Sequence, residues 1–502
     1  MIEPRTLKGF RDFLPPAMLA REQLIDTARR VYRSFGFCPI DTPALEYLEV
    51  LLGKGSEETD RLLYQFRDHG DRAVGMRFDL TVPLARFVAQ HIQELGTPFK
   101  RYHIGTVWRG ENTHRGRYRE FVQCDFDTIG TASMVADIET VLVVHSLMLA
   151  LGVSEFTIRM NNRRILTGLL ERLGLLDQAT VLLRALDKLP KIGREKVAAE
   201  MMAVAGASAQ QADDVLDLTS LQGESETILT QLEAMLAGNA TGSLGVNQLR
   251  EVLVGVAAAG VPAERIQLDL SIARGLDYYT GTVIETFLDR LPSIGSVCSG
   301  GRYDNLAQLF TTRELPGIGA SLGLDRLLAA LDELQQTQAT FTPAPVFLPY
   351  FDAAHLKDYL RLAAQIRQNG IGVEFYPEVK KIGQQLKYAD QRGFRLAVIA
   401  GDREFAAGRC QLKNLQTRDS EEVEMDGDGV RLVSAIRRML TVAVGLIASL
   451  PAIVWAQGAE EESKGPEWVL NYAMVVLCVG LALAIVCRIG RRSKEIKVTD
   501  GG

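Results

Sequence analysis

The sequence predicts an α+β core interrupted by a helical insertion, then a small α/β domain and a strongly apolar tail. Three observations carry that expectation. Residues 101–127, RYHIGTVWRGENTHRGRYREFVQCDFD, read as two strand-like runs joined by a Gly-bearing loop at 110–116, which makes a hairpin. Residues 163–260 are rich in Leu, Ala, Gln and Glu and almost free of aromatics, the texture of several short helices. Past a linker at 335–345, strand-like and helical runs alternate as far as 438, which predicts a mostly parallel sheet.

The elements follow in chain order. Met18, Leu19, Leu24, Ile25, Ala28, Val31, Tyr32 and Phe35 recur at helical spacing, so 17–36 is expected to be an amphipathic helix closed by Gly36. The strand-like CPIDTPALE comes next, with Pro43 where the chain must be extended. MRFDLTV (76–82) reads as a strand, with a helix starting near Pro83. In the hairpin, Tyr102, Ile104, Thr106 and Trp108 share one face, and alternation resumes from Tyr118 to Phe126. A strongly apolar helix is expected over 133–151. Strands return at 266–288, a Gly-rich turn at 297–306, and a strand running into a helix at 317–334. In the small domain, VFLPY, VEFYP, LAVIAG and CQLKNL read as strands, with helices at 353–369, 381–392 and near 429–438.

A length of 502 residues allows three or more domains. A net charge of −6 and a pI near 5.7 argue against non-specific DNA coating but leave room for a local basic surface that meets RNA. The six cysteines have no C-x-x-C spacing, which suggests neither a zinc knuckle nor a disulfide framework and fits a reducing, cytoplasmic setting. The polar N-terminus, MIEPRTLKGFRDFLPP, has no apolar run of the kind a signal peptide needs.

The tail, 439–502, departs from this. MLTVAVGLIASLPAIVWA (439–456) and WVLNYAMVVLCVGLALAIVC (468–487) approach bilayer-spanning length, with an acidic loop between them and basic residues outside both. Three readings stay open: a membrane hairpin with cytoplasmic ends, a helix pair buried in a soluble domain, or a second coding unit whose signal-like run starts at Met439.

Chemistry concentrates in the hairpin. Arg109, Arg115, Arg117 and Arg119 gather at one end of it. Four guanidiniums that close repel one another unless an anion sits among them, and a triphosphate is a good candidate.

RYHIGTVWRGE followed by RGRYREFVQCDFD closely resembles motif 2 of the class II aminoacyl-tRNA synthetases, and specifically the histidyl-tRNA synthetase family. MRFDLTVPLAR (76–86), ARGLDYYTGTVIE (273–285) and the motif 3-like GIGASLGLDRL (317–327) carry the same resemblance in the same order, over about residues 5–438. It implies a class II catalytic core over 1–335, an antiparallel sheet flanked by helices with the insertion at about 163–260, and an anticodon-binding domain over 343–438. It further implies a homodimer built on helix 17–36 and the Pro43 strand. The implied activity is ATP-dependent activation of L-histidine to histidyl-adenylate, then transfer to the 3′ end of tRNA(His).

The nucleophile of activation is already an anion, so no general base is needed; repulsion between anions is the barrier, which cations and Mg2+ accompanying ATP lower. By resemblance, Arg109 and Arg274 hold the α-phosphate and the attacking carboxylate from opposite sides. Arg117 meets the outer phosphates, Phe121 and Arg326 sandwich adenine, and Glu111 reads its edge. Asp79, Thr81 and Gln123 match the family's amino-group binders, and Asp127, Tyr278, Tyr279 and Tyr303 its imidazole pocket. Asp79 and Asp127 stand where many bacterial members have Glu, as in the eukaryotic-type branch. No metal site made by protein alone, no zinc and no organic cofactor is implied.

The small domain is slightly basic, and Lys380, Lys381 and Lys387 offer phosphate contacts or, equally, a solvated helix face. One rival is a non-catalytic paralogue that regulates ATP phosphoribosyltransferase. Such proteins look degraded in the motif arginines and lack the anticodon domain, whereas Arg109, Arg117, Arg274 and Arg326 are all present here. A membrane-tethered sensor, in contact with the bilayer through 439–487, is the other.

Overall fold

The computed structural model describes residues 1–53, 61–186, 188–272, 279–336 and 342–441. The chain divides into two compact units, Met1–Pro343 and Ala344–Gly502.

The first unit is built on an eight-stranded sheet. Its spatial order is Cys38–Pro39, Phe99–Trp108, Glu120–Ile129, Gly317–Gly323, Cys298–Tyr303, Thr282–Leu288, Phe156–Asn162 and Ile266–Leu268. Only the two outermost pairings are parallel; the interior is antiparallel. Period-two alternation gives the hairpin strands two unlike faces. Tyr102, Cys124 and Phe126 are buried in one core with Tyr32 from helix Pro15–Ser34 and Val144 and Leu147 from helix Met134–Ala150. Each such large side chain contributes roughly 1.5–3 kcal/mol by burial. The Tyr32 hydroxyl also donates to the Cys124 carbonyl at 2.9 Å, which fixes the first helix against the hairpin. The opposite face carries the polar residues.

The helix expected at 17–36 runs from Pro15 to Ser34, with prolines in its first turn, where no N–H is missed. The strand expected over 76–82 is instead Ala73–Met76, and a helix begins at Thr81. The reason is local: the Asp79 carboxylate accepts the Val82 N–H at 3.0 Å, so the chain turns into a helix where alternation had suggested an extended run. The Gly-rich segment expected as a turn contains strand Cys298–Tyr303, paired on both sides. A Cβ on Gly300 would lie 2.1 Å from the Gly319 carbonyl oxygen, so its missing side chain permits close strand approach rather than reversal.

The insertion is helical, from Arg163–Leu173 to Ala240–Ala258. Asn162 and Asn239 cap those two helices. A Cβ on Gly168 would lie 2.5 Å from the Gly242 nitrogen, so the two helices meet backbone to backbone.

The second unit is a five-stranded sheet in the order Val373–Phe375, Val346–Leu348, Leu396–Ile399, Arg409–Asn414, Ser420–Glu424. Its first two pairings are parallel and its last two antiparallel, so it is less parallel than expected. Two elements escaped the sequence reading. The edge strand SEEVE has one buried residue and a charged face, and helix Asp402–Ala407 is a single short segment started by Glu404, which accepts the Gly401 N–H at 2.9 Å. A closing helix runs over 430–441. Of the two apolar runs only Met439–Thr441 is described, as the end of that helix; the rest of 439–456 and all of 468–487 lie outside the described residues. Among the described residues no helix is long and apolar enough to cross a membrane.

Candidate active site

Strand register decides which side chains share the open face of the sheet. In the hairpin Arg101 lies opposite Asp127, His103 opposite Asp125, Gly105 opposite Gln123, and Val107 opposite Phe121. On the next strand Gly319 is beside Asp127, Ser321 beside Asp125, and Gly323 beside Gln123. The strand carrying three glycines among seven residues thus floors a trough. A Cβ on Gly319 would sit 2.2 Å from Asp127 Oδ1, so only glycine leaves that carboxylate its place.

One end of the trough is cationic. A cavity of about 160 Å3 is lined by Arg109, Glu111, Arg117, Phe121, Gln123 and Arg326, among others. Arg109 is aimed by its Nε, which donates to the Phe78 carbonyl at 2.8 Å, and its guanidinium lies 5.2 Å from the Phe121 ring centroid. The Glu111 carboxylate stands 2.9 Å from Arg117 and 3.7 Å from Arg109, occupying the place between the guanidiniums that the sequence assigned to an anion. Arg326 donates to the Ser296 carbonyl. Burial, then the nearby Arg117 and Arg109 charges, pull its pKa below the usual guanidinium value. Positive charge is therefore in excess here. The other two hairpin arginines point elsewhere. Arg115 pairs with Glu333 at 3.1 Å, and the Arg119 side chain donates to the Glu111 carbonyl at 3.2 Å while its backbone N–H binds Gly9.

The other end is anionic. A cavity of about 240 Å3 is lined by Asp79, Thr81, Gln123, Asp125, Asp127, Tyr279 and Tyr303, among others. Asp79 uses one oxygen on the Val82 N–H; the other is buried without a partner. Gln123 is anchored through its amide nitrogen, 2.8 Å from Ser321 Oγ, which leaves its carbonyl oxygen unpartnered. Asp127 accepts the Tyr303 hydroxyl and lies 2.7 Å from the fully buried Arg101 guanidinium. Burial raises the pKa of Asp79 and Asp127, opposed at Asp127 by Arg101 and at Asp79 by backbone N–H groups and Arg109. Asp125 is pushed up to about 7 by burial, with the Asp127 and Asp79 charges adding to it and Arg101 opposing.

Arg109, Gln123, Ser299 and Ser321 line both cavities, so the two share a wall at one point. Of the residues expected from sequence, Asp79, Thr81, Arg109, Glu111, Arg117, Phe121, Gln123, Asp127, Tyr279, Tyr303 and Arg326 all line one or both. Arg274 and Tyr278 lie outside the described residues. Sequence reasoning missed Arg101, His103, Asp125 and Ser321. A signal existed: 101 and 103 have the parity of Arg109, and 125 that of Gln123 and Asp127. The His103 imidazole is driven down to about 3 by burial and by Arg101 and Arg77, with Asp41 at 3.0 Å opposing, so the ring stays neutral.

A family model described as "Histidyl-tRNA synthetase" matches residues 9–327, and one described as "Anticodon binding domain" matches 345–428. A histidine–tRNA ligase of Rhodopirellula baltica is 63% identical over 423 residues, covering 84% of this chain and 96% of its own. One from Helicobacter hepaticus is 45% identical over 424 residues, covering 83% and 95%. A crystal structure of histidyl-tRNA synthetase from a Nostoc species is 36% identical with a TM-score of 0.79, covering 87% of this chain and 100% of that one. A Bacillus halodurans structure, titled as an ATP phosphoribosyltransferase regulatory subunit/histidyl-tRNA synthetase, is 23% identical with a TM-score of 0.65 and shares the fold. With its core and C-terminal domain both matched, and close relatives covered almost end to end, the chain belongs to the histidyl-tRNA synthetase family.

Proposed function

We propose that the two cavities are the ATP and histidine halves of one adenylation site, meeting where Arg109 and Gln123 line both. The chain activates L-histidine with ATP to histidyl-adenylate and diphosphate, then transfers histidine to the 3′ end of tRNA(His) in protein synthesis. The carrying observation is the opposed charge of the two ends. The cationic end suits a triphosphate, and the acidic end suits an amino acid with an ammonium and an imidazole. The shared wall is where the substrate carboxylate meets the α-phosphate.

Arg109 bridges the α-phosphate and the attacking carboxylate, with Arg274 closing from the other side. Arg117 takes the outer phosphates, which requires it to leave Glu111. Freed of that pair, Glu111 reads the adenine edge, and Phe121 and Arg326 hold the ring between them. Mg2+ enters with ATP. Asp79, Thr81 and Gln123 receive the ammonium. Asp127, Tyr278, Tyr279 and Tyr303 receive the imidazole, where a carboxylate on one nitrogen and a hydroxyl on the other exclude Asn and Gln. Histidine-dependent ATP–pyrophosphate exchange tests this reading. Wild-type chain is expected to exchange, and Arg274→Ala to lose most of that rate while keeping its fold. Wild-type rates in Arg274→Ala would remove its role, and no exchange by the wild type would remove the reading.

Three further features belong to the proposal. The domains divide at about 1–335 and 343–438. A homodimer covers Leu14, Met18, Leu45 and Tyr47, large apolar side chains exposed just before and on the first helix and on the strand after Pro43. The body is cytoplasmic, and the length of the runs 439–456 and 468–487 supports membrane contact through the tail. Recovery of full-length chain in a high-speed supernatant would refute that contact.

A further inference from the structure

The resemblance assigns Asp79, Thr81 and Gln123 to the ammonium of histidine, yet the pocket holds one more acceptor. Four oxygens that line it are buried and lack a hydrogen-bond partner: Asp79 Oδ2, Gln123 Oε1, Asp125 Oδ1 and Asp127 Oδ2, of which the last is already paired in charge with Arg101 at 2.7 Å. Asp125 is 2% exposed and lies beside Ser321 on the next strand, the residue that also holds Gln123. An ammonium carries three N–H donors in a tripod. We infer that Asp125 is a further histidine-contacting residue, whose unpartnered oxygen accepts the third N–H of the substrate's α-ammonium.

Its place on the strand favours the ammonium over the imidazole. Gln123, Asp125 and Asp127 follow one another on one face at about 7 Å steps. Gln123 adjoins Arg109, where the substrate carboxylate lies, and Asp127 is engaged by Tyr303 and Arg101 at the imidazole end. The α-carbon lies between, over Asp125.

The charge balance has a consequence. Asp79, Asp125 and Asp127 line the cavity together with Arg109 at its shared wall, and one fully buried cation, Arg101, lies 2.7 Å from Asp127. The groups around Asp125 are Gln123 and Asp127 on its own strand, Arg101 and His103 opposite, Arg77 beside them, and Ser321, Ser299 and Glu285 on the next three strands. Asp79 faces it from the start of its helix, and Tyr32, Cys124 and Cys298 lie through the sheet. His103 is neutral, and burial raises the two thiols and the Tyr32 phenol. In the free protein Asp125 therefore holds its proton in part at pH 7, and the arriving ammonium displaces that fraction to solvent.

The inference rests on the cavity being the histidine site, and the experiment separates the two. Histidine and its deamino analogue are titrated calorimetrically into full-length wild type and Asp125→Asn at pH 7, in two buffers of different ionisation enthalpy. Wild type is expected to bind histidine with release of a fraction of a proton. Asp125→Asn, which keeps a side-chain oxygen beside Ser321, is expected to bind histidine roughly ten- to a hundredfold more weakly, as for loss of a charge-assisted hydrogen bond, and without that release. The deamino analogue should bind both proteins alike. Histidine affinity in the variant within twofold of wild type overturns the inference. So does equal weakening for both ligands, which makes Asp125 a structural residue, or unchanged proton release. No histidine binding by the wild type overturns the functional reading as well.

Discussion

Replacing Arg101 with Met tests the claim that the histidine pocket is built around one buried cation. Arg101 is 0% exposed and lies 2.7 Å from the Asp127 carboxylate, on the strand opposite it. Methionine keeps the apolar stem and removes the charge. Breaking a buried pair by deleting one partner costs about 3–5 kcal/mol, because the other charge stays buried. A second route gives the same size. Asp127 can escape by taking up a proton; relative to an unfolded carboxyl of pKa about 3.9, that costs about 4 kcal/mol at pH 7, at 1.36 kcal/mol per pH unit. At pH 5 the same proton costs only about 1.5 kcal/mol. The sign follows. Asp127 already has a raised pKa in the folded state, and Arg101→Met raises it further, so the variant loses stability as pH rises between those limits. Urea unfolding at pH 5 and pH 7 is the assay, with Arg101→Met/Asp127→Asn as companion. The companion should recover most of the loss at pH 7. A deficit in Arg101→Met that is the same at both pH values, or a double variant no more stable than the single one, would refute the pairing.

Gly319→Ala places a methyl group 2.2 Å from Asp127 Oδ1 and 2.3 Å from the Phe126 carbonyl oxygen, on a paired strand that cannot yield. Overpacking of that kind costs about 1–3 kcal/mol of stability; steady-state exchange should show KM for histidine raised while KM for ATP holds, and an equal rise in both would argue against two separate halves. Asp125→Asn should stabilise the ligand-free protein in a pH-dependent way. The wild-type carboxyl is raised to about 7, so its folded state binds more protons than the unfolded chain and loses stability as pH climbs from about 4 to about 7. The variant lacks that loss, and its advantage in thermal or urea unfolding should reach at most about 4 kcal/mol at pH 8 and vanish near pH 4; a pH-independent difference would contradict it. Arg326→Ala removes a guanidinium set against Arg109 and Arg117. It should weaken ATP binding about tenfold, as for a lost cation–π face, and leave binding of histidine alone unchanged, measured by calorimetry with each ligand.

Parity along a strand was legible in the sequence, which put Tyr102, Ile104, Thr106 and Trp108 on one face, while Arg109, Phe121, Gln123 and Asp127 were found through the family resemblance. Partners across strands were not. Arg101 meets Asp127 because the hairpin register puts them opposite, and that register depends on the length of the loop between Trp108 and Glu120. Asp125 lies between two assigned residues without a role of its own in the sequence reading, and only the adjoining strand, almost two hundred residues on, sets Ser321 beside it. The helical insertion was recognisable from texture, since its helices need only local periodicity and Asn caps. Segment 297–306 was read as a Gly-rich turn that walls the site; Gly300 and Tyr303 do line the cavity, but from a strand whose glycines let its neighbour touch, a reason that lies wholly in that neighbouring strand.

On the proposed reading, the two ends of the trough are complementary to the product of activation rather than to either substrate alone. Histidyl-adenylate carries an ammonium at one end and a phosphate near its middle, and the site sets buried carboxylates against the first and guanidiniums against the second. On that reading, ATP by itself displaces the Glu111 carboxylate from Arg117, and histidine by itself displaces the proton that Asp125 partly holds at pH 7. Both costs come before bond formation. On the proposed reading, the contacts that offset them, Arg109 and Gln123 at the shared wall, need both substrates in place. Contacts of that kind couple the two binding steps, and they raise the rate of the chemical step only so far as they strengthen in the transition state.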